Sequence, residues 1–240
     1  MNRFFFLFIV LSWVLLLPVQ AMALLDVETP DSDIGSLKKG TRFLGLTLSL
    51  SESNSENPSS LFENIEGVDQ TTYDINAYGG YFIRDVWMLG GLFKKSFSES
   101  DSSFSEDSEK LRTQSVSRFT SFGFMMRNYL PIEESGRFSL FVESSVVFGY
   151  GKEIVQTTLV DDIDRKITRS YLLDIGVAPG IMAFIQDGVA IEARVNIMGL
   201  KAKWGDYDFN NGERTGSSSS TDLDFTIKLT TLYFGVTYYF

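Results

Sequence analysis

The side chains able to do chemistry in this 240-residue chain include carboxylates, guanidinium groups, lysines and a large stock of serine, with no histidine and no cysteine anywhere. That excludes Ser-His and Cys-His nucleophile pairs, thiolate metal sites and disulfides together. A Ser-Lys dyad or a carboxylate pair is left open, but no spacing singles one out. What does stand out is charge placed at every second position. Asp74, Glu143, Asp174 and Glu192 share alternating tracts with glycine and serine, and so do Arg127 and Arg194; Glu192 and Arg194 lie two apart. Groups so placed could line a gated polar path, or pair into a packed network. The second is expected, because the interior of an eight-stranded barrel is just filled by side chains. No catalytic, cofactor-binding or metal residues are predicted, and no cofactor is expected.

The elements that position these charges are strands. Segments 41–50, 71–84, 86–97, about 113–130, 137–151, about 167–185, 189–199 and 223–240 alternate with period two, apart from the start of the third, which is apolar on both faces. Leu44, Leu46, Leu48 and Leu50 oppose Gly45, Thr47 and Ser49; Val189, Ile191, Ala193, Val195 and Ile197 oppose Ala190, Glu192, Arg194 and Asn196. The facing of 86–97 stays open. The connections after the second, fourth and sixth segments are short, and those after the others are long, about 51–70, 98–112, 152–166 and 200–222. In an up-and-down barrel this rhythm collects short turns at one rim and long loops at the other, as in outer-membrane barrels.

The first 23 residues are set apart. One basic residue, Arg3, an apolar run over 4–17 and the small-residue site Ala21-Met22-Ala23 have the layout of a cleaved secretory signal. The run falls short of the ~18–20 residues a membrane-crossing helix needs. Residues 24–40 read as an irregular periplasmic lead and 41–240 as the barrel. A formal charge of −10 repels nucleic acid, so that class of partner is dismissed.

The last segment sharpens the picture. Leu232, Phe234, Val236, Tyr238 and Phe240 fall on one face, with Gly235 and Thr237 between them. With GGYFIRDVWMLG, MMRNYLP, FVESSVVFGYG and DIGVAPGIMAFIQDGVAIEARV, this strand resembles the outer-membrane-protein β-barrel domain family, relatives of the small OmpA- and OmpX-type barrels. The resemblance covers about 41–240. It implies a bacterial outer-membrane location and a final strand, Leu232 to Phe240, read by the outer-membrane assembly machinery as an assembly signature. It implies no activity, and the barrel enzymes of such membranes rely on a histidine this chain lacks.

The rival is a secreted lipocalin-like binder with its apolar face turned inward. The long-short rhythm, the glycine-rich polar faces with charges of both signs, and the last strand all argue against it. Aromatics near the predicted rims, Tyr73, Tyr81, Trp87, Tyr129, Phe138, Tyr238 and Phe240, suggest a girdle at headgroup level.

The reading is therefore an all-β, eight-stranded antiparallel up-and-down transmembrane barrel. Its expected role is non-enzymatic: structural, envelope integrity, or surface interaction and adhesion. A small solute pore is the alternative. Expected partners are outer-membrane lipid and lipopolysaccharide, the assembly machinery, and a surface ligand at the loops. Loop carboxylates Glu52, Glu56, Glu63, Glu66 and Asp69, with no basic residue among them, could also recruit calcium, though without an ordered ligand spacing.

Overall fold

A computed structural model describes residues 37–56, 59–60, 63–106, 109–133, 135–159, 162–209, 214–224 and 232–240. The signal segment and most of the lead lie outside these residues. The strands are β1 (Arg42–Glu56), β2 (Ser59–Ser60), β3 (Glu63–Arg84), β4 (Trp87–Glu106), β5 (Glu109–Pro131), β6 (Phe138–Leu159), β7 (Asp162–Gln186), β8 (Val189–Val195), β9 (Met198–Phe209), β10 (Arg214–Asp224) and β11 (Leu232–Tyr239). No helix occurs among the described residues.

All pairings are antiparallel, and the ring β1-β3-β4-β5-β6-β7-β8-β11 closes on itself. Closure runs through β1 and β11, from Phe43↔Tyr239 to Ser49↔Tyr233, so the last strand seals the barrel against the first. β9 continues the seventh stave outward, and β10 pairs with β9 beyond it. A closed ring leaves no unpaired edge in the wall, the condition for a sheet to stand in hydrocarbon.

Side-chain alternation assigns the faces. Leu44, Phe122, Phe124 and Phe234 point outward with 60% or more of their surface exposed, while Thr47, Asn76, Arg127 and Thr237 point inward and are buried. The third segment, ambiguous in sequence, is settled by its register. Met88, Gly90, Leu92, Lys94 and Ser96 face in, and Leu89, Gly91, Phe93 and Lys95 face out.

Three expectations need correction. The long connections are largely strand: β4 and β5 pair out to Glu106↔Glu109, and β6 and β7 out to Leu159↔Asp162. Threonine and serine sustain the ladders where charge and serine content had suggested loops. Tyr129 belongs to no girdle. It is fully buried inside, its ring 5.7 Å from those of Phe82 and Phe141.

The third correction concerns the seventh segment, which is not one continuous strand. Gly180 pairs with Arg194, but Val177 pairs with Met198, so one extra residue sits in the β8–β9 stave near Asn196–Ile197. Opposite it lies Pro179, which has no amide to give to a ladder. Such a bulge inverts side-chain parity. Residues 190, 192 and 194 face in below it. Gly199, Lys201, Lys203 and Gly205 face in above it, against Gly176, Asp174, Leu172 and Ser170.

The interior is layered. Nearest the short turns lies an apolar plug of Phe43, Phe82, Met88, Tyr129, Phe141, Phe184 and Tyr239. Leu37 and Val86 close it from below, with the Val86 amide donating to the Leu37 carbonyl at 2.7 Å and the Lys39 amide to Asp85 Oδ1 at 2.7 Å. The described end of the lead is thus tied into the turn rim.

Candidate functional site: the charged barrel interior

Arg127, on β5, is the centre of the interior. Its side chain has no exposed surface. Nε donates to Glu143 Oε2 at 2.6 Å, and Nη1 and Nη2 donate to Glu192 Oε2 and Oε1 at 2.7 and 3.0 Å. The fork on Glu192 is the bidentate geometry that a guanidinium offers and an ammonium does not. Above and below, the guanidinium is held between the rings of Phe141 and Tyr78, 4.6 and 4.7 Å from their centroids.

Glu192 is saturated with donors. Tyr78 Oη donates to its Oε1 at 2.5 Å and Thr237 Oγ1 to its Oε2 at 3.1 Å. The Tyr78 ring reaches this point only because Gly45 faces it, since a methyl there would fall on the ring. Glu143 is shared with Arg194, whose Nη1 donates to Oε1 and whose guanidinium lies 4.8 Å from the Tyr233 ring centroid. Two carboxylates and two guanidinium groups therefore neutralise one another in a dry layer, the arrangement that makes buried charge tolerable.

The other two predicted charges sit higher. Asp74 pairs with Lys94 at 3.0 Å and accepts from Tyr233 Oη at 2.7 Å and Ser96 Oγ at 2.5 Å. Asp174 faces Lys201 at 3.8 Å, and beyond it Lys203 pairs with Glu153 at 2.7 Å. The structure thus joins Arg127, Glu143, Glu192 and Arg194 into one cluster and places Asp74 and Asp174 in separate pairs.

Sequence reasoning did not find Lys94, Lys201, Lys203, Tyr78, Tyr233 or Thr237. Lys94 was hidden by the two-sided apolar start of its strand, and the two other lysines by lying in the tract 200–222 that reads as a loop. The tyrosines and Thr237 alternate correctly in sequence, but nothing there marks which inward hydroxyl meets which charge.

Between the cluster and the outer hairpins lies a cavity of about 170 Å³, lined by Lys94, Ser96, Asp174, Arg194, Lys201 and Tyr233 among others. Its floor is sealed, because Arg127, Tyr129 and Met88 beneath it carry no solvent-exposed surface. The carboxylates are held by cations and hydroxyls.

The predicted last-strand face is wholly outward. Leu232, Phe234, Val236, Tyr238 and Phe240 are 39–60% exposed, and Tyr238 stacks on Phe240 at 5.6 Å. On the β4–β5 hairpin, Arg112 donates from Nε and Nη2 to Asp101 at 2.5–3.2 Å and holds that carboxyl below its ordinary pKa. The side chains of Glu52, Glu56, Glu63 and Glu66, considered above for calcium, lie outside what the structure describes.

An outer wall of exposed leucine, valine and aromatic side chains around a polar, ion-paired interior inverts the pattern of a water-soluble barrel. Lipid is the solvent of such a wall. The chain is a membrane-spanning barrel of the outer-membrane type. No family model matches the sequence and no curated protein is found to resemble it.

Among solved structures it is similar to the outer membrane protein OprG from Pseudomonas aeruginosa, at 13% identity over 87% of this chain and 99% of that one, with a TM-score of 0.46. A major outer membrane protein from Thermus thermophilus gives 11% identity over 84% and 100%, with a TM-score of 0.46. Ail, the attachment invasion locus protein of Yersinia pestis, gives 12% identity over 84% and 99%, with a TM-score of 0.36. Likenesses this distant say nothing of what this barrel binds; its architecture rests on its own ladders.

Proposed function

We propose that this protein is a non-enzymatic barrel of the bacterial outer membrane whose sealed body is a platform for its outer hairpins. Its role is then surface interaction, adhesion or envelope integrity. One observation carries the reading: the cross-section is closed by the Arg127 cluster and the aromatic plug beneath it, with no exposed surface on Arg127, Tyr129 or Met88. A wall that passes nothing leaves the paired extensions of β3 to β7 as the parts that meet other molecules.

Planar-bilayer recording tests the closed body. No discrete open-channel steps are expected. Steps that disappear in Arg194→Gln, which neutralises a cation lining the cavity, would establish the solute pore instead. For the hairpins, each of the β1–β3, β4–β5, β6–β7 and β9–β10 connections is replaced by a short turn. Binding of whole cells to host surfaces is then measured. Loss of binding in one variant that keeps heat-modifiable gel migration is the expected result. Undiminished binding in all four would sink the platform role.

A further inference from the structure

The outer wall carries a row of positive charge that the interior network does not use. Arg118 on β5 pairs across to Lys152 on β6, and Lys152 pairs across to Arg169 on β7. All three are exposed and face outward. Strands lie about 4.8 Å apart, so Lys152 has a like charge directly opposite on both sides, a placement that opposes folding.

Among the described residues the row's one ion pair is Arg169 with Asp208 at 3.1 Å, and Asp206 lies across from Arg169 at the same end. Arg118 rests over the Phe97 ring at 5.4 Å, and among the described residues neither it nor Lys152 has an ion pair. The chain as a whole carries −10, so three adjacent outward cations run against its composition.

Their height is telling. Immediately below the row, Phe148, Tyr150, Tyr171 and Trp204 form a contiguous outward aromatic cluster, with centroids 5.3–6.2 Å apart. At about 3.3 Å per residue and a tilt of about 40°, the strand from Phe138 to Phe148 climbs about 25 Å, the height of the apolar band of such barrels. Lys152, four residues on, lies about 10 Å farther out by the same arithmetic, at the depth of lipid headgroups. The partners available there are the anionic groups of the outer leaflet.

We infer that Arg118, Lys152 and Arg169 form a binding site for the phosphate groups of an outer-leaflet glycolipid, its acyl chains lying along the aromatic cluster below. The inference rests on the reading of this wall as the lipid face. The charges supply the anion site, the rings supply the apolar bed, and the like-charge row finds in the phosphate the counter-charge it lacks.

The test uses protein extracted from membranes in neutral detergent and titrated with bisphosphorylated lipid A, followed by tryptophan emission, to which Trp204 beside the site contributes. Removing three membrane-surface cations, each worth about fivefold against anionic lipid, weakens binding about a hundredfold in R118Q/K152Q/R169Q. Dephosphorylated lipid A is expected to bind the variant and the parent alike, and Lys152→Arg to keep most of the affinity. Heat-modifiable migration shows that each variant is folded.

Equal affinity of the folded triple variant and the parent for the phosphorylated lipid overturns the inference. So does displacement of the lipid by millimolar inorganic phosphate, which marks a site for free anion. Absence of the protein from the membrane fraction would instead overturn the lipid-face reading on which this one stands.

Discussion

Arg127→Met is expected to destabilise the barrel by about 3–5 kcal/mol, the cost of leaving buried charge without its partner. The guanidinium makes three hydrogen bonds of 2.6–3.0 Å to Glu143 and Glu192, and both carboxylates are almost wholly buried. Methionine fills much of the volume between Tyr78 and Phe141 but strands two negative charges in a dry layer, with only Arg194 to answer them. Urea unfolding in detergent or lipid vesicles measures the loss. Adding Glu192→Gln to the methionine variant leaves Glu143 paired with Arg194, removes the one uncompensated charge and is expected to recover most of the stability. If Arg127→Met alone stays within about 0.5 kcal/mol of the parent, where neutral surface changes fall, the cluster is not the closed dry layer described.

Phe124→Arg carries the second large effect. Phe124 is 76% exposed on the outer wall and lies midway on β5 between Arg118 and the turn at Pro131. Opposite Val146, it stands in the upper half of the apolar band, where an arginine on the lipid face costs about 2 kcal/mol, between the midplane and interface values. Gln114→Arg is the companion. It occupies the same outward face of the same strand, beyond the cationic row, where the cost is expected to fall to about 0–1 kcal/mol. The pair is compared by unfolding in lipid vesicles. A barrel standing in water gives the opposite result, with Phe124→Arg neutral or mildly stabilising, so the contrast tests which solvent the wall meets.

Much of this was legible in the chain. Where inward residues are small or polar and outward ones are leucine or phenylalanine, as along Leu44 to Leu50 or Phe122 to Met126, period-two reading assigns the face residue by residue. The closing partnership of the last strand with the first followed from strand parity and count. Legibility ended where register is decided by a neighbour. Met88, Leu89 and Leu92 are apolar on both sides, so only pairing with β3 and β5 shows that Lys94 faces in. Serine-rich acidic tracts read as solvated loops, yet a hairpin already nucleated by two long strands continues through them because each added pair extends an existing ladder. Of the predicted interior charges, sequence placed all six on the inner face. It could not say that four form one cluster and two stand apart, since that depends on how staves separated by up to 65 positions, such as Arg127 and Glu192, meet across the barrel.

The extra residue near Asn196–Ile197 makes the seventh stave behave like a text with a reading frame. Below it, even positions are read by the interior; above it, odd positions are. Take one residue out, and every side chain from Met198 outward is read by the other side: Lys201 and Lys203 pass to the outer wall, while Leu200, Ala202 and Trp204 turn toward Asp174 and Glu153. A single insertion or deletion here therefore acts like a frameshift in three dimensions, exchanging the two vocabularies of the barrel without changing a single letter. The ion pairs of the upper interior are spelled in a frame that one irregular step maintains.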